Sequence, residues 1–131
     1  MIPAIVLTLS HFLGDWLFQS RQMAREKSSN FNILIEHVCI WTLCVTISFL
    51  FIPYIYDIKI NNLLYFVLTN FILHLIQDWN IWKLYRYSVI KRNHNVKTFE
   101  WYNDYWFFTF IAIDQSIHLS ILFVTYQYFL I

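Results

Sequence analysis

The sequence predicts an all-α membrane protein, a single four-helix transmembrane bundle spanning residues 1–131. Three observations lead there. Charge is scarce: Asp, Glu, Lys and Arg make up 13% of the residues, about half the roughly 25% typical of a soluble domain. Mean hydropathy is +0.49, and the apolar residues gather in long uncharged runs of the kind that span bilayers. One glycine and two prolines leave little for the turns of a β-barrel, whereas a helix satisfies its own backbone in lipid.

The runs fall at roughly residues 2–20, 33–55, 63–85 and 105–131, each near the ~20 residues a span requires. The first has no basic leader, and His11 and Asp15 interrupt its apolar core, so it is expected to be a retained span rather than a cleaved signal peptide. Pro53 is expected to end the second, because the residue before proline resists the α conformation. The short stretch DIKINN, 57–62, leads to the third run.

The other two connections, RQMAREKSSNFN and RYSVIKRNHNVKTFE, are polar and basic. Arg21, Arg25, Lys27, Lys83, Arg86, Lys91, Arg92 and Lys97 lie in or beside them, against Lys59 alone on the other side. That eight-to-one asymmetry predicts a multi-pass plasma (inner) membrane protein with both termini non-cytoplasmic. The net charge of +1 gives no field for nucleic acid. Membrane lipid, including anionic headgroups near the basic loops, is the expected partner. Cys39 and Cys44 form no C-x-x-C motif and are read as free thiols with packing roles. His94, in the basic loop, reads as a solvated residue.

The polar residues inside the runs are not scattered. At about 100° per residue, Thr8, His11, Asp15, Gln19 and Gln22 form one stripe on the first helix, with Gly14 beside it. A glycine there allows close approach of a neighbouring helix. Asn70, His74, Gln77 and Asp78 share a face of the third helix, and Asp114, His118 and Thr125 a face of the fourth. His37 heads a face of the second with Trp41, Cys44 and Ser48, and Glu36 lies about 100° round. Because alternate helices run in opposite directions, the His-x-x-x-Asp order of the first and third reverses in the fourth, placing the histidines at one depth and the aspartates one turn nearer the cytoplasm. His37 is expected at the cytoplasmic rim of this group.

An aspartate at mid-membrane costs about 2.5–3.5 kcal/mol, so three unpaired ones cost up to about 10 kcal/mol. Every lysine and arginine lies near an interface, so none within the spans is expected to pair the aspartates, and the offsetting positive charge is expected from protonated histidine, protons or a bound metal. A lone intramembrane His or Asp is often only an interhelical hydrogen-bond partner; three pairs at matched depth are harder to account for that way. Mixed His and Asp is a ligand set for Zn²⁺, Mn²⁺ or Fe²⁺. The candidate ligands are His11, Asp15, His37, His74, Asp78, Asp114 and His118, sufficient for one or two divalent ions, zinc or manganese above all.

The sequence resembles the small bacterial and phage membrane proteins called domain of unknown function 3307. These read approximately His-x-x-x-Asp-Phe-x-Leu-Gln, then Met-Ala…Lys, a lone His, His-x-x-x-Asp before a Lys, and Asp-Gln-x-x-His. The matching residues are His11, Asp15, Trp16 (aromatic for Phe), Gln19, Met23-Ala24, Lys27, His37, His74, Asp78 and Asp114-Gln115-x-x-His118, spanning 11–118. Phe18 replaces the Leu, and the lysine after the second motif comes at Lys83, with Ile81 in its usual place. By analogy the resemblance points to inner-membrane metal-dependent hydrolases.

The leading expectation is therefore an integral-membrane metal-dependent hydrolase. Glu36 or an unligated carboxylate would take a proton, and Gln19 and Gln115 would orient ligands. Lys27 and Lys83 would contact an amphiphilic, phosphate-containing substrate. Two other readings stay open: a proton or metal-ion transporter using the same His/Asp chain, and a small regulatory or phage membrane protein with a structural metal. Polarity beyond the site reduces to Thr8, Asn70 and Thr125, which favours a dead-ended pocket over a conduit.

Overall fold

A computed structural model describes residues 2–52, 58–92 and 105–131. The expected stop at Pro53, and the positions of His94 and Lys97, lie outside the described residues. Among the described residues there are helices and no strands: α1 (Ile2–Phe12), α2 (Arg21–Glu26), α3 (Phe31–Ser48), α4 (Ile60–Arg92) and α5 (Phe107–Leu130). Three stretches are long and apolar enough to cross a membrane, Phe31–Phe51, Ile60–Lys91 and Phe107–Leu130; Ile2–Leu17 is a shorter apolar helix.

The distribution of polarity is that of a membrane bundle. Among the described residues, 14 polar or charged side chains are buried against 12 apolar ones, while Leu17, Leu50, Phe108 and Val124 are among many large apolar residues left exposed. Such exposure suits a lipid-facing surface.

The first expected span, 2–20, is modified in a way that matters. After Phe12 the helix widens into a π-turn, Leu13–Leu17, closed by Phe18 N–H donating to the Leu13 carbonyl at 2.9 Å. Such π-turns are rare and recur at functional sites. Gly14 sits in this turn against α3; a Cβ there would stand 2.8 Å from Trp41 Cα and 3.0 Å from Trp41 Cδ1. The close helix approach expected of this glycine is present.

The first connection, expected to be a loop, contains α2. Ser20 caps it, its Oγ accepting from Met23 N–H at 3.2 Å, and Met23 is buried. Asn30 caps α3 in turn, its Oδ1 accepting from Asn32 N–H at 3.1 Å. These caps satisfy otherwise orphaned helix donors and fold the connection back over the bundle end.

The third span was expected at 63–85, and α4 is longer: its 33 residues extend about 50 Å at 1.5 Å per residue, against a hydrocarbon core of ~30 Å. Its last turns carry Lys83, Arg86, Lys91 and Arg92, which suits them to water or headgroups. Arg86 Nη2 donates to the carbonyl of Arg25, tying this extension to α2. The packing role expected for the cysteines does not hold for Cys39, which is exposed; Cys44 is half-buried, and both are free thiols.

The apolar core lies at the opposite end from α2. Leu7, Trp41, Val45, Phe49, Ile52, Phe66 and Leu122 form one buried cluster. Just inside it, Asn70 Nδ2 donates to Thr125 Oγ1 at 2.7 Å, and Thr8 spends its hydroxyl on its own helix, donating to the Ala4 carbonyl.

Candidate metal centre

Between that core and α2 the structure brings together all seven predicted His and Asp residues, every one of them buried. The π-turn delivers Asp15, and a directed chain of hydrogen bonds holds it. Trp41 Nε1–H donates to His11 Nδ1 at 2.9 Å. The His11 proton is thereby placed on Nε2, which donates to Gln115 Oε1 at 2.8 Å. Gln115 Nε2 then donates to Asp15 Oδ2. The carboxylate is fixed with Oδ1 turned toward the middle of the bundle.

There Oδ1 meets His37 Nε2 at 3.0 Å, and the same nitrogen lies 3.0 Å from Asp78 Oδ2. His37 is thus not at a rim, as its place near the end of the second helix suggested; it is fully buried between the two carboxylates. His74 Nε2 stands 3.3 Å from Asp78 Oδ2 and 3.8 Å from Asp15 Oδ1, its ring packed against Trp41 with centroids 4.2 Å apart.

The absence of any lysine or arginine to pair the aspartates, expected from the spans, is overturned. Lys27 follows α2 directly, its backbone N–H held by the Met23 carbonyl at 3.0 Å, and its side chain reaches into the centre. Its ammonium lies 3.0 Å from Asp78 Oδ2, 3.6 Å from Asp15 Oδ1 and 3.3 Å from His37 Nε2. Burial opposes that charge, but the Asp78 and Asp15 carboxylates outweigh it and hold the ammonium's pKa above its ordinary value.

On the far side of Asp78, Gln77 organises α5. Its Nε2 donates to the Asp114 carbonyl at 2.7 Å and to Asp114 Oδ1 at 3.1 Å, and lies 2.8 Å from His118 Nδ1. Trp82 Nε1 donates to Asp114 Oδ2 at 3.3 Å. His118 Nε2 faces Asp78 Oδ1 at 3.8 Å.

Three interlocking donor sets result, each with atoms within 4.8 Å of one another: Asp15, His37, His74 and Asp78; His11, Asp15 and His118; Asp78, Asp114 and His118. The chemistry of the atoms fits a cation. Asp15 Oδ1, both oxygens of Asp78 and His118 Nε2 are buried with no aligned hydrogen bond, although His37 and Lys27 approach some of them at ion-pair distance. Buried acceptors are seldom left so, and Asp78 Oδ1 and His118 Nε2, which face each other at 3.8 Å with no hydrogen-bond partner, are placed as two ligands of one ion would be.

The other predicted site residues are placed less centrally. Gln19 Nε2 donates to the Asp15 carbonyl at 2.9 Å. Glu36 is exposed, so it does not face the cluster as a base. Lys83 is exposed too, its ammonium over the Trp79 ring 3.6 Å from the centroid, and takes no part. Trp41, Gln77 and Trp82 were not anticipated as site residues, though Trp41 and Gln77 lie on the very faces that carry His37 and His74.

The family model described as a protein of unknown function, DUF3307, matches residues 4–131. The chain belongs to the DUF3307 family. No curated protein and no solved structure matches it. The DUF3307 match contains every residue of the cluster, so the whole centre lies on the family's own segment. This DUF3307 chain also has a cavity of about 130 Å³ beside the centre, lined by Asp15, Lys27, Asp114 and Gln115 together with Trp16, Trp82, Phe107 and Ile111.

Proposed function

We propose that the protein is a membrane-embedded metal-dependent hydrolase acting on an amphiphilic phosphoester. One observation carries the reading: the buried Asp78 Oδ1 and His118 Nε2 face each other without hydrogen-bond partners, beside a cavity whose wall includes Asp15, Lys27 and Asp114. The ligands are drawn from Asp15, His37, His74, Asp78, Asp114 and His118, with zinc or manganese the best match to His and Asp without thiolate. A bound divalent ion supplies Lewis acidity and water acidified toward neutral pH.

The protein's own groups do the rest. The chain Trp41–His11–Gln115 fixes the orientation of Asp15, the positioning role that partners of metal ligands fill elsewhere. Gln77 and Trp82 do the same for Asp114. Lys27 offers its charge to a phosphate entering the cavity, and the aromatic wall of Trp16, Trp82 and Phe107 accepts an apolar tail and excludes water.

The test is phosphate release from lipid phosphomonoesters and phosphodiesters by the protein in nanodiscs with Zn²⁺ or Mn²⁺. Release should stop with chelator and return with metal. Failure on both substrate types, together with proton or metal flux through wild-type proteoliposomes, would replace hydrolysis with transport. The apolar end of the bundle argues for zero flux.

We further propose that Ile2–Leu17 crosses the membrane with the other three helices, both termini outside, on the eight-to-one cation asymmetry. In a background with Cys39 and Cys44 replaced by serine, Ser29→Cys places a thiol at an exposed position without disturbing the Asn30 cap. An impermeant maleimide added to intact cells should leave it unlabelled; strong labelling would invert the topology.

A further inference from the structure

We infer that Lys27 is a built-in replacement for a second metal ion, so that the centre takes a single divalent cation on the Asp78–Asp114–His118 side. This rests on the proposed metal centre and deepens it. Of the three donor sets, the one made by Asp15, His37, His74 and Asp78 already holds a cation. The Lys27 ammonium touches Asp78 Oδ2 at 3.0 Å and approaches Asp15 Oδ1 to 3.6 Å. An ion bound to the same oxygens would stand next to it among buried groups, where like charges repel more strongly than in water.

Lys27 is also not a loose surface side chain that could simply swing away. It is 4% exposed, its backbone is bonded to α2, α2 is capped by Ser20 and anchored by buried Met23, and Ser28 beyond it is buried as well. The ammonium is delivered to that position by a folded element.

The opposite set is free of it. Asp78 Oδ1 and His118 Nε2 face each other at 3.8 Å, both buried and neither hydrogen-bonded. Two ligands of one ion at about 2.0–2.2 Å each can span that gap. Asp78 thus becomes a bridge, with Oδ2 on the ammonium and Oδ1 on the ion. Two-metal hydrolases clamp a phosphoryl group between paired cations; here the pair is one ion and one lysine, with Lys27 and Asp114 both on the cavity wall.

The experiment is Mn²⁺ loading of the full chain in nanodiscs, read by elemental analysis and electron paramagnetic resonance. Wild type should bind one Mn²⁺ with the six-line signal of an isolated ion, as should Lys27→Arg. Lys27→Met, which keeps the stem and removes the charge, should bind two ions with a spin-coupled signal. His118→Gln should lose the single ion, whereas His74→Gln should keep it. Two coupled ions in wild type, one ion in Lys27→Met, or loss of the ion in His74→Gln with retention in His118→Gln would each overturn the inference while leaving a metal centre standing. No Mn²⁺ or Zn²⁺ in any form would remove the metal centre itself.

Discussion

Asp78→Asn is expected to empty the centre of metal and to weaken the fold by about 3 kcal/mol, the lower end of the cost of breaking a buried ion pair. Asp78 has four charged or ionisable partners, and it is the carboxylate whose Oδ1 faces His118. Asp78 is fully buried and meets Lys27, His37, His74 and His118 within 3.8 Å. The amide preserves shape but not charge, so the proposed ion would lose one of the ligands that two donor sets share. The Lys27 ammonium keeps only Asp15 nearby, at 3.6 Å, which is why the loss stays at the low end. Elemental analysis and denaturant unfolding in detergent measure the two effects. Adding Lys27→Met should restore part of the stability but none of the metal-dependent activity, because removing both partners of a buried pair is far less costly than removing one. An Asp78→Asn protein with a full complement of metal would end the assignment.

Gly14→Ala should destabilise by about 1–3 kcal/mol, the range for forcing a methyl into a packed interior. The sign is informative, since in most helix interiors replacing glycine by alanine stabilises by roughly 0.5–1 kcal/mol. Here the new Cβ would lie 2.8 Å from Trp41 Cα, a backbone atom that cannot rotate aside. The π-turn must move off α3, and it carries Asp15, while Trp41 carries the N–H that orients His11. Metal affinity should fall about tenfold or more, as about 1.4 kcal/mol of misplacement suffices for that. The apparent melting temperature and zinc retention check both effects. An unchanged melting temperature would mean that the contact is slack.

Much of the centre was legible because it obeys helical periodicity. His11 with Asp15, His74 with Asp78 and Asp114 with His118 are four apart, and a polar pair repeated so in apolar runs must face the interior. The three long apolar helices and the shorter Ile2–Leu17 followed from the same apolar runs. What periodicity could not reveal is whatever depends on a break in it. The π-turn at Leu13–Leu17 leaves no mark in an apolar run beyond Gly14. Lys27 reads as a topology charge and a substrate contact, not as a partner of the aspartates, because its segment reads as a basic connection. The signs of a folded element were there, in Ser20 three residues before Met23 and in Asn30 before the next helix, but a six-residue helix is too short to show an apolar face. Its burial comes from tertiary packing, which places the ammonium between two carboxylates from different helices.

The apolar cluster beyond Asn70 and Thr125 has an electrical consequence. In an energised membrane, voltage drops across the part that excludes water and mobile ions, and each elementary charge moved through 100 mV changes in energy by about 2.3 kcal/mol. In the proposed topology, with the plug on one side and the cavity on the other, most of that drop would fall across Leu7, Trp41, Phe49, Phe66 and Leu122. A cation arriving at Asp78 through the cavity crosses almost none of it. On the proposed topology and metal site, the centre would be insulated from the membrane potential, and its occupancy would follow the ion concentration of a single compartment whether the cell is energised or not.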